Sequence, residues 1–355
     1  MTVGRTRSFK ESYAESLLRE LATLECWEDA AFETVFFGGG TPTELGAGLL
    51  NGLLAEIRLV YGVADEAEIT LEANPENLDG GYLESLREGG WNRLSLGAQS
   101  FDDETLKFLG RTHSPGQIAD VVQAAKAAGF GNISLDLIYA VPGQSLETWT
   151  DTVKAAIALE VPHISAYSLT IEPGTAFGRR QSAGELLESE PDDQAHYMEA
   201  AAELLESAGL GRYEVSNYAR PGFASRHNQN YWRGGDYHGL GCGAHGHKQG
   251  HRWWNERDAR AYMARVNASG SGRAGEEWLD AEERLSEIVA LGLRSREGFD
   301  LKEASFSLGI DVQHRLGPAL EEAAARGWVR REGAMVVPAP DMLALADGLA
   351  VTLLR

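Results

Sequence analysis

Hydrophobic residues recur along the chain with two different periods. Near the N-terminus they are spaced by three and four positions, which predicts a helix over residues 11–24. Further along, short apolar runs are each followed by a turn and a helical pattern. These runs predict strands over residues 34–37, 68–73, 93–97, 132–138 and 163–170. The patterns between them predict helices over residues 49–60, 82–88, 118–128 and 146–159.

The spacing of the strands predicts how they pair. Successive strands start roughly 25 to 40 residues apart, the length of a βα unit, and right-handed crossovers between such units produce a parallel sheet. The chain is therefore expected to be an α/β protein built as a partial (β/α) barrel of the TIM type. A dinucleotide-binding Rossmann domain is the weaker interpretation, because GGGTP (38–42) and not GxGxxG follows the first strand.

The pattern changes after residue 173. A helix over 191–210 and a strand over 212–219 are predicted, and residues 220–255 are rich in Gly, His, Trp and Asn without a clean period. Helical patterns dominate from residue 278, with a hairpin over 328–337, and residues 270–277 resemble a linker. Three regions are expected: a barrel core (1–175), a barrel-completing extension (176–272), and a small, mostly helical, winged-helix-like domain (273–355).

The amino-acid composition excludes some kinds of partner and indicates a cellular compartment. Of the 355 residues, 43% are hydrophobic, enough for a substantial core, and the formal net charge of −21 argues against a nucleic-acid partner and against docking on anionic lipid. No signal peptide is recognised at the N-terminus and no apolar run is long enough for a membrane span, so a cytoplasmic location is expected. The two cysteines, Cys26 and Cys242, make a disulfide framework improbable.

Polar residues follow several of the predicted strands at their carboxyl ends, where βα barrels place their sites. The glycines of GGGTP allow a ligand to approach the backbone closely, although a tight strand-to-helix turn would explain them equally well. Glu72, Gln99 and Asp136 each interrupt or end an apolar strand, and a lone polar residue is costly to bury there. Together they predict a polar cavity at the mouth of the barrel.

Five segments in this order and spacing, GGGTP, LEANPENL, RLSLGAQSF, LGRTHS and LDLIYAVPGQ, resemble the radical S-adenosylmethionine (SAM) core of the oxygen-independent coproporphyrinogen oxidase superfamily. The resemblance covers residues 13–246, roughly two-thirds of the chain. It implies a radical SAM barrel whose first strand is missing here. It also implies that Gly39, Gly40 and Thr41 contact the methionine part of SAM. Glu72, Gln99, Arg111 and Asp136 would hold its amino group, carboxylate and ribose.

The segment HNQNYW (227–232) resembles the signature of the HemW-type haem chaperones within that superfamily. The resemblance implies haem or porphyrin binding by His227, Tyr231 and Trp232, since imidazole is a common axial ligand and aromatic rings can line a flat apolar ligand. The alternative is that His227 and Asn228 only hydrogen-bond a loop. Other histidines stand close by in the sequence and could serve as the ligand instead: His238, His245, His247 and His251.

The family's CxxxCxxC loop, which holds a [4Fe–4S] cluster, is absent. Cys26 and Cys242 cannot replace it, so no metal ligand and no catalytic residue is assigned, and this chain is not expected to cleave SAM reductively. Either the loop is encoded upstream, which we favour, or this is a cluster-less member. The expected function is binding haem and transferring it to an acceptor protein. The alternatives are oxidative decarboxylation of coproporphyrinogen III to protoporphyrinogen IX, and an inactive, poorly folding fragment.

Overall fold

The computed structural model of the protein describes residues 6–24 and 31–355. Its strands are β1 (Phe32–Phe37), β2 (Val63–Ala73), β3 (Arg93–Gln99), β4 (Asn132–Tyr139), β5 (His163–Ser168), β6 (Gly211–Arg212), β7 (Asn217–Ala219), β8 (His245–Lys248), β9 (His251–Asn255), β10 (Arg273–Trp278), β11 (Phe299–Asp300), β12 (Val329–Glu332) and β13 (Met335–Pro338). Its helices are α1 (Arg7–Leu21), α2 (Ala47–Tyr61), α3 (Gly80–Gly89), α4 (Asp103–Phe108), α5 (Pro115–Ala127), α6 (Leu146–Ala158), α7 (Ala176–Ser182), α8 (Pro191–Ser207), α9 (Arg226–Trp232), α10 (Ala259–Ser269), α11 (Ala281–Gly292), α12 (Leu301–Leu308), α13 (Val312–Ala325) and α14 (Ala346–Leu354).

The main sheet confirms the predicted α/β architecture with a parallel core. Its strands lie in the order β1-β2-β3-β4-β5-β7-β6. Strands β2 to β5 pair in parallel, and β7 is antiparallel to both β5 and β6. The register places Glu72 opposite Ser95, Ser95 opposite Ser134, and Asp136 opposite Ser165. Because side chains alternate between the two faces of a strand, these polar residues share one face of the sheet.

The helices between the strands begin and end where local chemistry requires it. Ser114 and Gln117 form a capping box at the start of α5, each satisfying a backbone N–H that has no partner within the helix. Ser145 accepts a hydrogen bond from the Thr148 N–H at the start of α6. Helix α3 ends at Gly90, whose left-handed backbone (φ 92°) allows the chain to turn into β3.

One predicted strand is wrong. Residues 212–219 form two short strands, β6 and β7, that pair antiparallel to one another. The Arg212 side chain folds back over the intervening turn and donates to the carbonyl oxygens of Glu214 and Val215. These bonds satisfy the turn's backbone, so the segment reverses direction.

The chain divides into two compact units. The first contains the described parts of Met1–Val35 together with Gly48–Ala67 and Ser225–Arg355, and the second contains Phe36–Ala47 and Glu68–Ala224. In the second unit, one face of strands β3 and β4 is apolar and fully buried; its residues are Leu94, Leu96, Leu135 and Leu137. The other face carries the polar residues Ser95, Ser134 and Asp136.

The first unit contains a small antiparallel sheet in the order β10-β9-β8. Strand β10 occupies most of residues 270–277, so the predicted linker is wrong. Its glycine-rich, charged sequence resembles a linker because β10 lies at the edge of the sheet and most of its side chains are exposed. The predicted hairpin over 328–337 is confirmed by β12 and β13, which pair antiparallel around a turn at Gly333.

Helices α11 to α14 pack on a hydrophobic core that includes Leu285, Val289, Leu316, Leu320 and Leu353, all fully buried. A three-stranded sheet in the order β11-β13-β12 joins this core through Val329 and Val336. Within the parts of the chain that the structure describes, no helix has the length and apolar character that crossing a membrane requires.

A buried carboxylate joins distant segments of the first unit. Glu20, in the last turn of α1, is 2% exposed. Its two oxygens accept four hydrogen bonds, from Gly241 N at 2.9 Å, Asn255 Nδ2 at 2.7 Å, Tyr262 Oη at 2.7 Å and Gly272 N at 3.1 Å. Four donors compensate the desolvation of the carboxylate, so α1 is tied to the glycine-rich loop before β8.

Candidate functional site

The loop after β1 has an open backbone. Gly39 and Gly40 adopt φ values of 80° and 110°, which favour glycine, and a Cβ at either position would meet nothing within 4 Å. Gly38, by contrast, has no room for a side chain, because a Cβ there would lie 2.8 Å from the Glu72 carboxyl carbon. The Gly39 N–H donates to Glu72 Oε2 at 3.1 Å. The loop therefore leaves free space at Gly39 and Gly40, and its Gly39 N–H holds the Glu72 carboxylate in position.

Two carboxylates, Glu72 and Asp136, interact across the sheet. Burial raises the pKa of Glu72, the hydrogen bond from Gly39 opposes this shift, and the Asp136 charge adds to it. Burial also raises the pKa of Asp136, against hydrogen bonds from neighbouring serines. Ser95 Oγ lies 3.0 and 3.2 Å from the two Asp136 oxygens. The pair provides acceptors whose negative charge a cationic ligand would stabilise.

Asn74 connects two of the expected SAM residues and was missed by the sequence analysis. Its Oδ1 accepts from Arg111 Nη1 at 3.2 Å, and its Nδ2 donates to Thr41 Oγ1 at 3.3 Å. Asn74 follows β2 directly and precedes Pro75, so in the sequence it resembles a residue of an ordinary turn. The structure thus joins Arg111 to the GGGTP loop through one side-chain amide.

Gln99 occupies the end of β3 in an uncommon conformation. Its φ of 64° lies in the left-handed region, and the β3–β4 register shifts between Leu96 and Gln99. The side chain is 8% exposed, and a Cβ on Gly97 would come within 2.8 Å of its Nε2. A non-glycine residue with positive φ is uncommon and costs energy, and such residues are enriched at functional sites. The sequence identified this residue but not its strain.

His113 anchors the segment that carries Arg111. Its side chain is fully buried, with Nδ1 2.9 Å from Glu76 Oε2 and Nε2 3.1 Å from the Ala98 carbonyl oxygen. The ring therefore lies between Glu76, in the turn after β2, and the Ala98 carbonyl near the end of β3. His113 was not among the predicted site residues, and its place two residues after Arg111 was the signal in the sequence that could have indicated it.

The residues of this site fit SAM as a ligand. A zwitterionic amino-acid group needs an anionic acceptor and a guanidinium, which Glu72 and Arg111 supply, and a ribose diol pairs well with a carboxylate such as Asp136. At Gly39 and Gly40 no described atom lies within 4 Å of the position that a Cβ would take, so the backbone there is open to a ligand. All of these residues lie in the second compact unit.

The residues present do not fit a [4Fe–4S] cluster. Cys242 is the free, half-buried cysteine of the described residues, and Cys26 lies outside them. Residues 6–24 and 31–355 contain no group of three or more His, Cys, Asp or Glu side chains arranged to hold a metal ion. Such clusters require thiolate ligands that two cysteines cannot supply.

The HNQNYW segment forms α9 in the first unit. His227 Nε2 lies 2.8 Å from Tyr231 Oη, one helical turn later, and His227 Nδ1 lies 2.9 Å from Thr34 Oγ1. The Tyr231 ring meets His227 and Tyr237 edge to face, each with a centroid distance of 4.8 Å. The structure therefore brings His227 and Tyr231 together and engages both nitrogens of the imidazole.

Trp232 makes different contacts. The Arg294 guanidinium lies over its ring at 6.0 Å, and its indole N–H is buried without an acceptor among the described residues. The neighbouring Arg233 forms an ion pair with Glu297 at 2.7 Å. Trp232 therefore packs towards the segment that follows α11, whereas Tyr231 contacts Tyr237.

Comparison with known proteins agrees with this architecture. The Radical SAM superfamily model matches residues 3–156, and the HemN C-terminal domain model matches residues 279–339. A curated relative from Mycobacterium tuberculosis, called "Heme chaperone HemW", is 39% identical over 325 residues, covering 90% of this chain and 80% of the relative. A relative of the same name from Bacillus subtilis is 33% identical, covering 92% of this chain and 86% of the relative.

Among solved structures, the coproporphyrinogen III oxidase HemN from Escherichia coli matches with a TM-score of 0.84. The match covers 99% of this chain and 84% of the oxidase at 21% sequence identity. At that identity, the likeness is one of fold.

Proposed function

This chain belongs to the HemW family of the radical SAM superfamily, and from that membership we propose that it binds haem and delivers it to an acceptor protein. Haem is the cargo in this proposal. The two relatives compared above both carry the name of haem chaperone, at 33% and 39% identity over most of their length.

The haem proposal rests on a series of aromatic rings that begins at α9. Tyr231 contacts His227 and Tyr237 edge to face, and the Tyr237 ring centroid lies 6.0 Å from that of His247. Such rings offer flat, polarisable contacts of the kind a porphyrin macrocycle requires. Tyr231 is the member of the series most exposed to solvent, and Trp232 is the last residue of the helix. We assign Tyr231 to the lining of the haem site.

Hemin titration tests this proposal. The apoprotein is mixed with increasing hemin, and the Soret band is followed against a hemin-only reference. Specific binding predicts a saturable shift of the band with one hemin per chain. Transfer is then tested by adding apomyoglobin as a haem acceptor and following the appearance of its spectrum. A Soret band that stays that of free hemin at all ratios would remove the proposal.

We further propose that the second unit binds SAM through Gly39, Gly40, Thr41, Glu72, Gln99, Arg111 and Asp136. The support is the geometry of these side chains: an open glycine loop, two carboxylates and a guanidinium held by Asn74. In radical SAM enzymes, SAM supplies a radical once a cluster reduces it. The present proposal concerns only the binding of SAM by these side chains.

Calorimetric titration with SAM tests the second site. Wild-type protein should bind SAM, and Glu72→Gln should weaken binding by about tenfold because it removes an ionic acceptor for the ammonium group. Glu84→Gln, an exposed carboxylate on α3, is the matched control and should bind as wild type does. Equal affinity of Glu72→Gln and Glu84→Gln would contradict the assignment.

A further inference from the structure

The first unit has five histidines from α9 to β9, and they differ in whether a ring nitrogen is available to bind iron. They are His227, His238, His245, His247 and His251. An axial haem ligand needs an imidazole nitrogen with an available lone pair that solvent, and hence iron, can reach. His227 has both nitrogens engaged, by Thr34 and Tyr231. His247 is engaged too: its Nε2 accepts from Gly250 N at 3.1 Å, and its Nδ1 lies 3.3 Å from the Gly235 carbonyl oxygen.

The next two histidines are held as well. His251 Nε2 lies 3.0 Å from Glu276 Oε2, and its ring is stacked on Trp278 with a centroid distance of 4.1 Å and an interplanar angle of 7°. Both ring nitrogens of His238 are buried. The two His238 nitrogens and His251 Nε2 are therefore not open to iron without rearrangement.

His245, the first residue of β8, is different because its side chain is exposed. No hydrogen bond to its ring nitrogens is seen within the described parts of the chain. The His245 ring lies 6.3 Å from the Trp254 indole on the adjacent strand, inclined by 33°. Trp254 in turn lies over Gly275 of β10, where any Cβ would collide with the indole. An accessible imidazole therefore stands beside a flat aromatic surface.

The strand geometry links this imidazole to the ring series at α9. Residues two apart on a strand point to the same face, about 7 Å from one another. His245 therefore shares a face of β8 with His247, which contacts Tyr237. The end of the ring series at His247 and the pair His245–Trp254 therefore lie on the same face of β8 within the first unit.

We propose that His245 is the axial ligand of the haem, with Trp254 contacting the same face of the macrocycle. This inference rests on the proposed function, because it takes haem as the cargo. A neutral imidazole nitrogen donates its lone pair to the iron and displaces a water molecule, and the oxidation state of the iron does not change. His227 has a positioning role: through Thr34 and Tyr231 it fixes α9 beside the site.

Hemin titration of three variants tests the assignment: His245→Ala, His227→Ala and His314→Ala. His314 is an exposed histidine on α13 and serves as the matched control. Circular dichroism and thermal melting first establish that each variant is folded. His245→Ala should weaken hemin binding by about tenfold or more and abolish the spectral signature of histidine ligation. His314→Ala should keep the wild-type affinity, Soret band and electron paramagnetic resonance spectrum. His227→Ala removes one ring of the series, so it should bind hemin more weakly but keep the Soret position and the resonance signature of histidine ligation.

Chemical rescue separates ligation from packing. His245→Gly with added imidazole should regain the wild-type Soret band, because free imidazole can occupy the vacated position. A His245→Gly protein that binds hemin as wild type does, or one that imidazole fails to restore, would overturn the inference. Loss of ligation in His227→Ala alone would also overturn it while leaving the proposed function intact. Absence of any Soret shift in wild type would instead remove the proposed function.

Discussion

Asn74 Oδ1 accepts a hydrogen bond from Arg111 Nη1 at 3.2 Å, and this contact joins the end of β2 to the segment after α4. The same amide reaches Thr41 Oγ1 through its nitrogen. Arg111 is thereby held beside the glycine loop, and no carboxylate among residues 6–24 and 31–355 forms an ion pair with it. A guanidinium held by a neutral amide stays available for a ligand carboxylate.

Replacing Asn74 with alanine should weaken SAM binding. Arg111 would lose an acceptor and Thr41 a donor, and a hydrogen bond to a charged group contributes about 1.5–3 kcal/mol, so a loss of roughly tenfold or more in affinity is expected. Calorimetric titration measures it. Gln123→Ala, an exposed amide on α5, is the control and should leave the affinity unchanged. Wild-type affinity in Asn74→Ala would show that Arg111 does not depend on this amide.

The contrast between Asn74 and Asp136 shows how far the sequence could predict the site. Asp136 was found because a charge inside an apolar strand is costly and therefore conspicuous. Asn followed by Pro is common in turns, so only the contacts of Asn74 in the structure show that it holds Arg111. The parallel core was predictable because strand and turn patterns alternate at the length of a βα unit. Strand β10 was not, because an exposed edge strand needs few apolar residues.

The raised pKa of Asp136 predicts how stability depends on pH. A carboxyl whose pKa is higher in the folded state binds its proton more tightly there, so its stabilising effect is full below the unfolded pKa and is lost as the pH rises through the folded pKa. Asp136→Asn cannot ionise and should escape that loss. The variant should therefore gain stability relative to wild type between pH 4 and pH 7.

Urea unfolding at pH 4, 5.5 and 7 measures this difference. Asp120→Asn, an exposed residue on α5, is the control and should show a difference from wild type that does not change with pH. If the stability difference between Asp136→Asn and wild type is constant across the three pH values, the Asp136 carboxyl does not titrate with a raised pKa.

The four donors around Glu20 predict a large cost for its removal. Glu20→Ala would leave the Tyr262 hydroxyl, the Asn255 amide and the backbone N–H groups of Gly241 and Gly272 buried without their acceptor. Each buried donor left unsatisfied costs energy, and we expect a loss of roughly 3 kcal/mol or more in the free energy of unfolding. Urea denaturation measures it. Glu15→Ala, an exposed residue on the same helix, should stay close to wild type.

Glu20 also marks a limit of sequence-based prediction. Position 20 falls on the apolar side of α1, three residues after Leu17, but a glutamate in an amphipathic helix is normally solvated, so its burial was not expected. The partners that make its burial possible lie more than two hundred positions away in the sequence. Periodicity reports only local spacing, so it cannot detect such a contact.

Replacing Tyr231 tests whether His227 or His245 binds the haem iron. Burial, with a contribution from Tyr237, raises the pKa of Tyr231 to about 12, so the hydroxyl keeps its proton at neutral pH and can donate to His227 Nε2. Tyr231→Phe removes that bond and leaves Nε2 available. If His245 binds the iron, the variant should bind hemin within about twofold of wild type and with the same Soret band.

Tyr237→Phe is the matched control, since it also removes one hydroxyl while keeping the ring that contacts Tyr231. Both variants should titrate with hemin alike. Tighter binding or a new low-spin signal in Tyr231→Phe alone would mean that the freed His227 nitrogen competes for the iron, and the ligand assignment would then pass to α9. The two variants can be compared in this way because the Tyr231 hydroxyl, 2.8 Å from His227 Nε2, occupies a nitrogen of His227 and none of His245.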